Sequence, residues 1–102
     1  MTAVDKFYIE EKVVIITGGG GLLGQKHAEA VIEGKGIAVL LDISEESIER
    51  GVNALKGKYG NDCKVEGFVT DITDRGQVEH VKRLLLDKYS HIDVLINNAA
   101  NN

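Results

Sequence analysis

The sequence predicts an α/β fold, a doubly wound parallel sheet of which it supplies the first four strands in the order β-α-β-α-β-α-β. Three observations carry this. Short runs that are apolar throughout, rather than alternating, recur along the chain, the pattern of strands buried on both faces. Segments with helical spacing of apolar residues separate them. A glycine run, Gly18–Gly21, stands between the first strand and the first helix, where such a sheet makes its tightest turn. Right-handed crossovers then cover both faces of the sheet, which makes the architecture Rossmann-type.

The elements follow in order. Lys12–Thr17 is the first strand, with Val13, Val14, Ile15 and Ile16 all β-branched. From Leu22 to Glu33 the period becomes helical, with Leu23, His27, Ala30 and Val31 on the expected inner face, and Gly34 and Gly36 end the helix. Ile37–Leu41 is the second strand, closed by Asp42. Ser44 is placed to cap the second helix, and Glu45 and Glu46 favour its positive end. That helix runs to about Lys58, with Ile48, Val52 and Leu55 inward. Lys64–Thr70 is the third strand. Thr73 or Asp74 caps the third helix, whose stripe is Val78, Val81, Leu84, Leu85 and Tyr89. Val94–Ile96 is the fourth strand, followed at once by Asn97-Asn98-Ala99-Ala100. A sheet of six strands needs two more, so the reading expects the cofactor-binding part of one domain, residues 1–102, with one apolar strand edge uncovered.

Composition narrows the function classes. The chain has 102 residues, room for one small domain. Its net charge is −4, which argues against non-specific nucleic-acid binding. The apolar runs are too short to span a bilayer, and the charged N-terminus lacks the apolar stretch of a signal peptide. The single cysteine, Cys63, suits a reducing compartment and predicts a cytoplasmic protein. No His/Cys/Asp cluster has metal-ligand spacing, so no metal is expected.

The chemistry is concentrated in Gly18-x-x-Gly21-x-x-Gly24. A diphosphate must approach backbone N–H groups closely, and side chains would block it; the helix starting near Leu22 aims its positive end at the charge. Gly24 lets that helix pack against the strand. Four consecutive glycines could also be a plain turn, but this run follows a strand and opens a helix, as the motif requires. Asp42 ends the second strand, near the spacing of about 20 residues at which an acidic side chain meets the ribose hydroxyls. A carboxylate there repels a 2′-phosphate, so NAD is expected over NADP. Its bland alternative is a helix cap. Asp71 and Ile72, at the end of the third strand, are placed to border an adenine, or simply to cap a loop. The asparagines after the fourth strand can tie neighbouring strands through backbone groups.

Thr17–Gly24, Asp42, Asp71-Ile72 and Asn97–Ala100 together resemble the short-chain dehydrogenase/reductase family, from about residue 10 to residue 100. The resemblance implies binding of NAD(P) and hydride transfer to or from an alcohol or carbonyl carbon of a small molecule. It implies that backbone groups around Gly18, Gly20, Gly21, Leu22, Leu23 and Gly24 hold the diphosphate. Asp42 would take the ribose, Asp71 and Ile72 would border the adenine, and Asn98, Ala99 and Ala100 would line the nicotinamide ribose. There are departures. Leu22 stands where the family's classical branch has glycine, and Ala100 replaces a final glycine. The glycine spacing is closer to the extended branch of epimerases and dehydratases, whereas the Asn97–Ala100 segment favours the classical one. The family's catalytic Ser, Tyr-x-x-x-Lys pair and Asn lie beyond the fourth strand, so no catalytic residue is expected in this chain. Tyr8 and Lys12 have that spacing, but on the wrong side of the site. The 102 residues alone are expected to bind cofactor weakly and not to turn over. Homo-oligomerisation is expected of the full-length protein. The alternatives are an NAD-dependent epimerase or dehydratase, a non-catalytic dinucleotide-binding module, and a methyltransferase, against which the Thr17–Gly24 block speaks.

Overall fold

The computed structural model describes residues 9–98. Four strands and three helices alternate: β1 (Val13–Thr17), α1 (Leu22–Glu33), β2 (Ile37–Asp42), α2 (Glu45–Tyr59), β3 (Val65–Val69), α3 (Arg75–Tyr89) and β4 (Val94–Asn97). All pairings are parallel and the spatial order is β3-β2-β1-β4. The chain winds outward from β1 to β3, then crosses back to the far side of β1. The order therefore reverses between β1 and β4, which opens a crevice at the carboxyl ends of the strands. Thr17 lies level with Leu41 on one side and Asn97 on the other, and Asp42 with Val69, so the site segments reach the same edge.

Two cores flank the sheet. On one face Val14, Ile16, Ala38 and Leu40 pack with Ala28 and Val31 of α1 and Ile48 and Leu55 of α2. On the other, Val13, Ile37, Val39 and Leu41 pack with Val81 and Leu85 of α3. Successive strand residues feed opposite cores, so β1 and β2 must be apolar at nearly every position. The expected caps are present: Ser44 accepts from Ser47 N–H at 3.1 Å, and Asp74, rather than Thr73, accepts from Gln77 N–H at 3.2 Å.

The inner face of α1 differs from the expectation. It is formed by Gly24, Ala28 and Val31. Leu23 is 56% exposed, and His27 and Ala30 are only partly buried. The close approach of Gly24 to the glycine turn sets the rotation of the helix, and that rotation turns both leucines outward. On α3, Leu84 is exposed where the stripe predicted burial. β3 is one residue shorter at each end than predicted, and β4 extends to Asn97. β4 is apolar yet open, with Leu95 62% exposed. Its start is fastened to β1 by Asp93, whose Oδ2 accepts from Val13 N–H at 2.8 Å and also meets His91 Nδ1.

Candidate dinucleotide site

The glycine turn is shaped by what surrounds it. Gly18 has φ +65°, a left-handed conformation that favours glycine. A Cβ on Gly24 would lie 2.5 Å from the Gly18 carbonyl oxygen, one on Gly19 2.7 Å from Leu40 Cβ, and one on Gly20 2.5 Å from Ser47 Cβ. At Gly21 a Cβ would meet only the Gly18 carbonyl oxygen, at an ordinary contact distance of 3.4 Å. Packing of the turn against β2, α2 and the start of α1 thus requires most of these glycines, before any ligand is considered.

Gly21 is the N-cap of α1 and offers no side chain to it. The first bond of the helix runs from Gln25 N–H to the Gly21 carbonyl at 2.9 Å. The N–H groups of Leu22, Leu23 and Gly24 precede that bond and have no acceptor within the helix ladder, so they and the helix dipole suit a diphosphate. Leu22, the departure from the glycine of the classical pattern, is 83% exposed. Its side chain turns to solvent and does not fill the turn. The Gly20 N–H is directed elsewhere: it donates to Asp42 Oδ2 at 3.1 Å.

Asp42 lies between the turn and a recess of about 240 Å³ lined by Gly18, Leu41, Asp42, Ile43, Thr70, Asp71, Ile72 and Thr73. Its other oxygen, Oδ1, accepts from Ser44 N–H at 3.1 Å. Ile43 is 70% and Ile72 39% exposed, two apolar side chains at the rim of the same recess. Sequence reasoning passed over Ile43; the available signal was an apolar residue directly after the acidic strand end, in an otherwise polar loop. Asp71 performs the loop-capping role weighed for it: Oδ1 accepts from the Thr73 N–H at 2.9 Å and the Thr73 hydroxyl at 2.6 Å. The hydroxyl, then the N–H, hold the Asp71 carboxyl below its ordinary range. Asp71 also borders the recess.

At the end of β4, Asn98 Nδ2 donates to the Gly18 carbonyl at 3.3 Å, and Thr17 Oγ1 lies 3.2 Å from Asn97 Oδ1. Asn98 therefore ties the end of β4 to the glycine turn, and Asn97 ties it to the end of β1. Ala99 and Ala100, expected beside the nicotinamide ribose, lie outside the described residues, as does Tyr8. Among the described residues no group of His, Cys, Asp and Glu could hold a metal ion. The burial that raises the Cys63 thiol pKa works against a role as nucleophile.

The parallel order, the reversal beside β1, the glycine turn at a helix start and the acid at the end of β2 are the features of a Rossmann-type fold, and they make this edge the candidate dinucleotide site. The chain belongs to the short-chain dehydrogenase family, whose model matches residues 12–102. It is 34% identical over 91 residues to the 3-oxoacyl-(acyl-carrier-protein) reductase FabG of Thermotoga maritima, covering 89% of this chain and 36% of that protein. An NAD+-bound xylitol dehydrogenase superposes with a TM-score of 0.79 at 27% identity, covering 89% of this chain and 34% of the other. An NADPH-dependent 3-quinuclidinone reductase from Rhodotorula rubra superposes with a TM-score of 0.73 at 28% identity, covering 92% and 35%. The chain spans about a third of the length of the curated relatives it matches. Among the described residues no helix is long and apolar enough to cross a membrane.

Proposed function

We propose that the protein to which these residues belong is an NAD-dependent oxidoreductase acting on an alcohol or carbonyl group of a small molecule. The observation that carries the choice of NAD is the Asp42 carboxylate at the junction of the glycine turn and the recess. A 2′-phosphate placed there would meet a like charge, and Asp71 adds a second carboxylate at the recess. NAD leaves a neutral ribose whose two hydroxyls can donate to the carboxylate. Related folds carry either cofactor, as the xylitol dehydrogenase and quinuclidinone reductase names indicate, so the side chain at the end of β2 supports the choice and the fold does not.

The remaining residues take roles around it. The first-turn amides of α1, from Leu22 to Gly24, hold the diphosphate. Ile43, Asp71 and Ile72, which line the recess, would border the adenine. By the family resemblance, Asn98, Ala99 and Ala100 take the nicotinamide ribose, and Asn98 also ties the end of β4 to the Gly18 carbonyl. When bound, the nicotinamide supplies the hydride acceptor or donor. A cytoplasmic location and self-association of the natural protein belong to the same reading, and Cys63, a free thiol, suits that compartment.

Turnover tests it. The natural protein, screened against secondary alcohols with NAD and against their ketones with NADH, is expected to change absorbance at the reduced-nicotinamide band. NADP and NADPH are expected to give at least about ten-fold lower kcat/KM, the effect of one unfavourable charge contact of about 1.4 kcal/mol. Equal use of both cofactors would remove the assignment to Asp42.

A further inference from the structure

Asp42 makes two hydrogen bonds before any nucleotide arrives. Oδ2 accepts from Gly20 N–H and Oδ1 from Ser44 N–H, each at 3.1 Å. The neighbouring Gly19 N–H donates to the Leu41 carbonyl at 3.0 Å. Two consecutive amides of the turn are therefore fastened to the end of β2, one by backbone and one by the Asp42 side chain. The turn is also pressed against Leu40 and Ser47, since neither Gly19 nor Gly20 has room for a Cβ. A run of four glycines has more conformational freedom to lose than any other tetrapeptide, so each tie on it matters for order.

We propose that Asp42 is a positioning residue for the phosphate-binding turn as well as the acceptor for the ribose. The proposal rests on the dinucleotide reading above. An ionised carboxylate offers about four acceptor sites. Gly20 and Ser44 take two, and two remain, the number a ribose diol needs. An amide at this position has one oxygen and an NH2 donor, so one of the two backbone N–H groups faces another donor. A glutamate keeps the charge but carries its oxygens one methylene farther from both N–H groups. Neutralising Asp42 is then expected to do more than remove the charge that disfavours a 2′-phosphate. It loosens the turn that holds the diphosphate of both.

Two measurements on the natural protein test this, with Asp42→Asn and Asp42→Glu as variants. The first is hydrogen exchange by mass spectrometry without nucleotide. The peptide over residues 18–24 is expected to exchange about ten-fold faster in both variants, the loss of one charge-assisted backbone bond, with β2 unchanged as internal reference. Unchanged exchange over residues 18–24, or equal acceleration of β2, overturns the local role. The second is the affinity for 2′,3′-dideoxy-ADP, which keeps the diphosphate and lacks the hydroxyls that Asp42 would contact. Asp42→Asn is expected to weaken it about three-fold or more through lost preorganisation; a residue that only contacts ribose leaves it unchanged or tighter, and that result refutes the brace. A protein that binds neither NAD nor ADP refutes the dinucleotide reading, while the exchange experiment still decides on the brace.

Discussion

Gly24 and Gly57 lie in neighbouring helices, and the same added methyl group acts on them in opposite directions. At Gly24 a Cβ meets the Gly18 carbonyl oxygen at 2.5 Å and Gly19 Cα at 2.8 Å, both backbone atoms that cannot move aside. Gly24→Ala is expected to destabilise by about 1–3 kcal/mol and to weaken NAD binding, because the strain falls on the turn. At Gly57, in α2, nothing lies within 4 Å. Gly57→Ala is expected to stabilise by about 0.5–1 kcal/mol through helix propensity. Urea denaturation of the two variants checks both signs. The spacing of Gly24 was legible in the sequence. The packing roles of Gly19 and Gly20 were not, because they depend on Leu40 and Ser47, which only the folded chain brings against the turn. Asp71 shows the same limit: its position at the recess followed from the strand pattern, whereas its tie to Thr73 is a property of loop geometry.

At the level of elements, apolar runs and caps identified the strands and helices, while the rotation of each helix was less legible. In α1 the pattern Leu23, His27, Ala30 and Val31 competes with Gly24, Ala28 and Val31, which contain smaller side chains and a weaker apolar signal. Close packing against the turn decides for the second set. The cap of α3 gives one prediction: Asp74 accepts from both the N–H and the side-chain amide of Gln77. Asp74→Ala is expected to cost about 0.5–2 kcal/mol, read as a lower urea midpoint with an unchanged slope. The β1–β4 tie gives another. The Val13 N–H, then contact with His91, hold the Asp93 carboxyl below its ordinary range. A group depressed on folding stabilises the fold fully above its unfolded pKa and loses that effect as pH falls through the folded value. Stability is therefore expected to decline with acid below about pH 4, where a free carboxyl titrates. Asp93→Asn is expected to lower stability at neutral pH and flatten that acid limb; an unaltered limb would remove Asp93 from it.

For the whole molecule, four parallel strands and a reversal of order place Asp42, Asp71, the glycine turn and Asn98 at one edge of the sheet. The sequence spacing anticipated that convergence, since every strand of a doubly wound sheet ends on the same side. Substrate choice was not legible, because none of the features described here distinguishes one alcohol or ketone from another. The proposed function requires this edge to bind the adenosine half of NAD and to disfavour a 2′-phosphate. Calorimetric titration of the natural protein with NAD and with NADP tests it most directly. Saturable NAD binding is expected, with at least about ten-fold weaker NADP binding, the effect of about 1.4 kcal/mol. NADP binding equal to or tighter than that of NAD, or no binding of either, would contradict it.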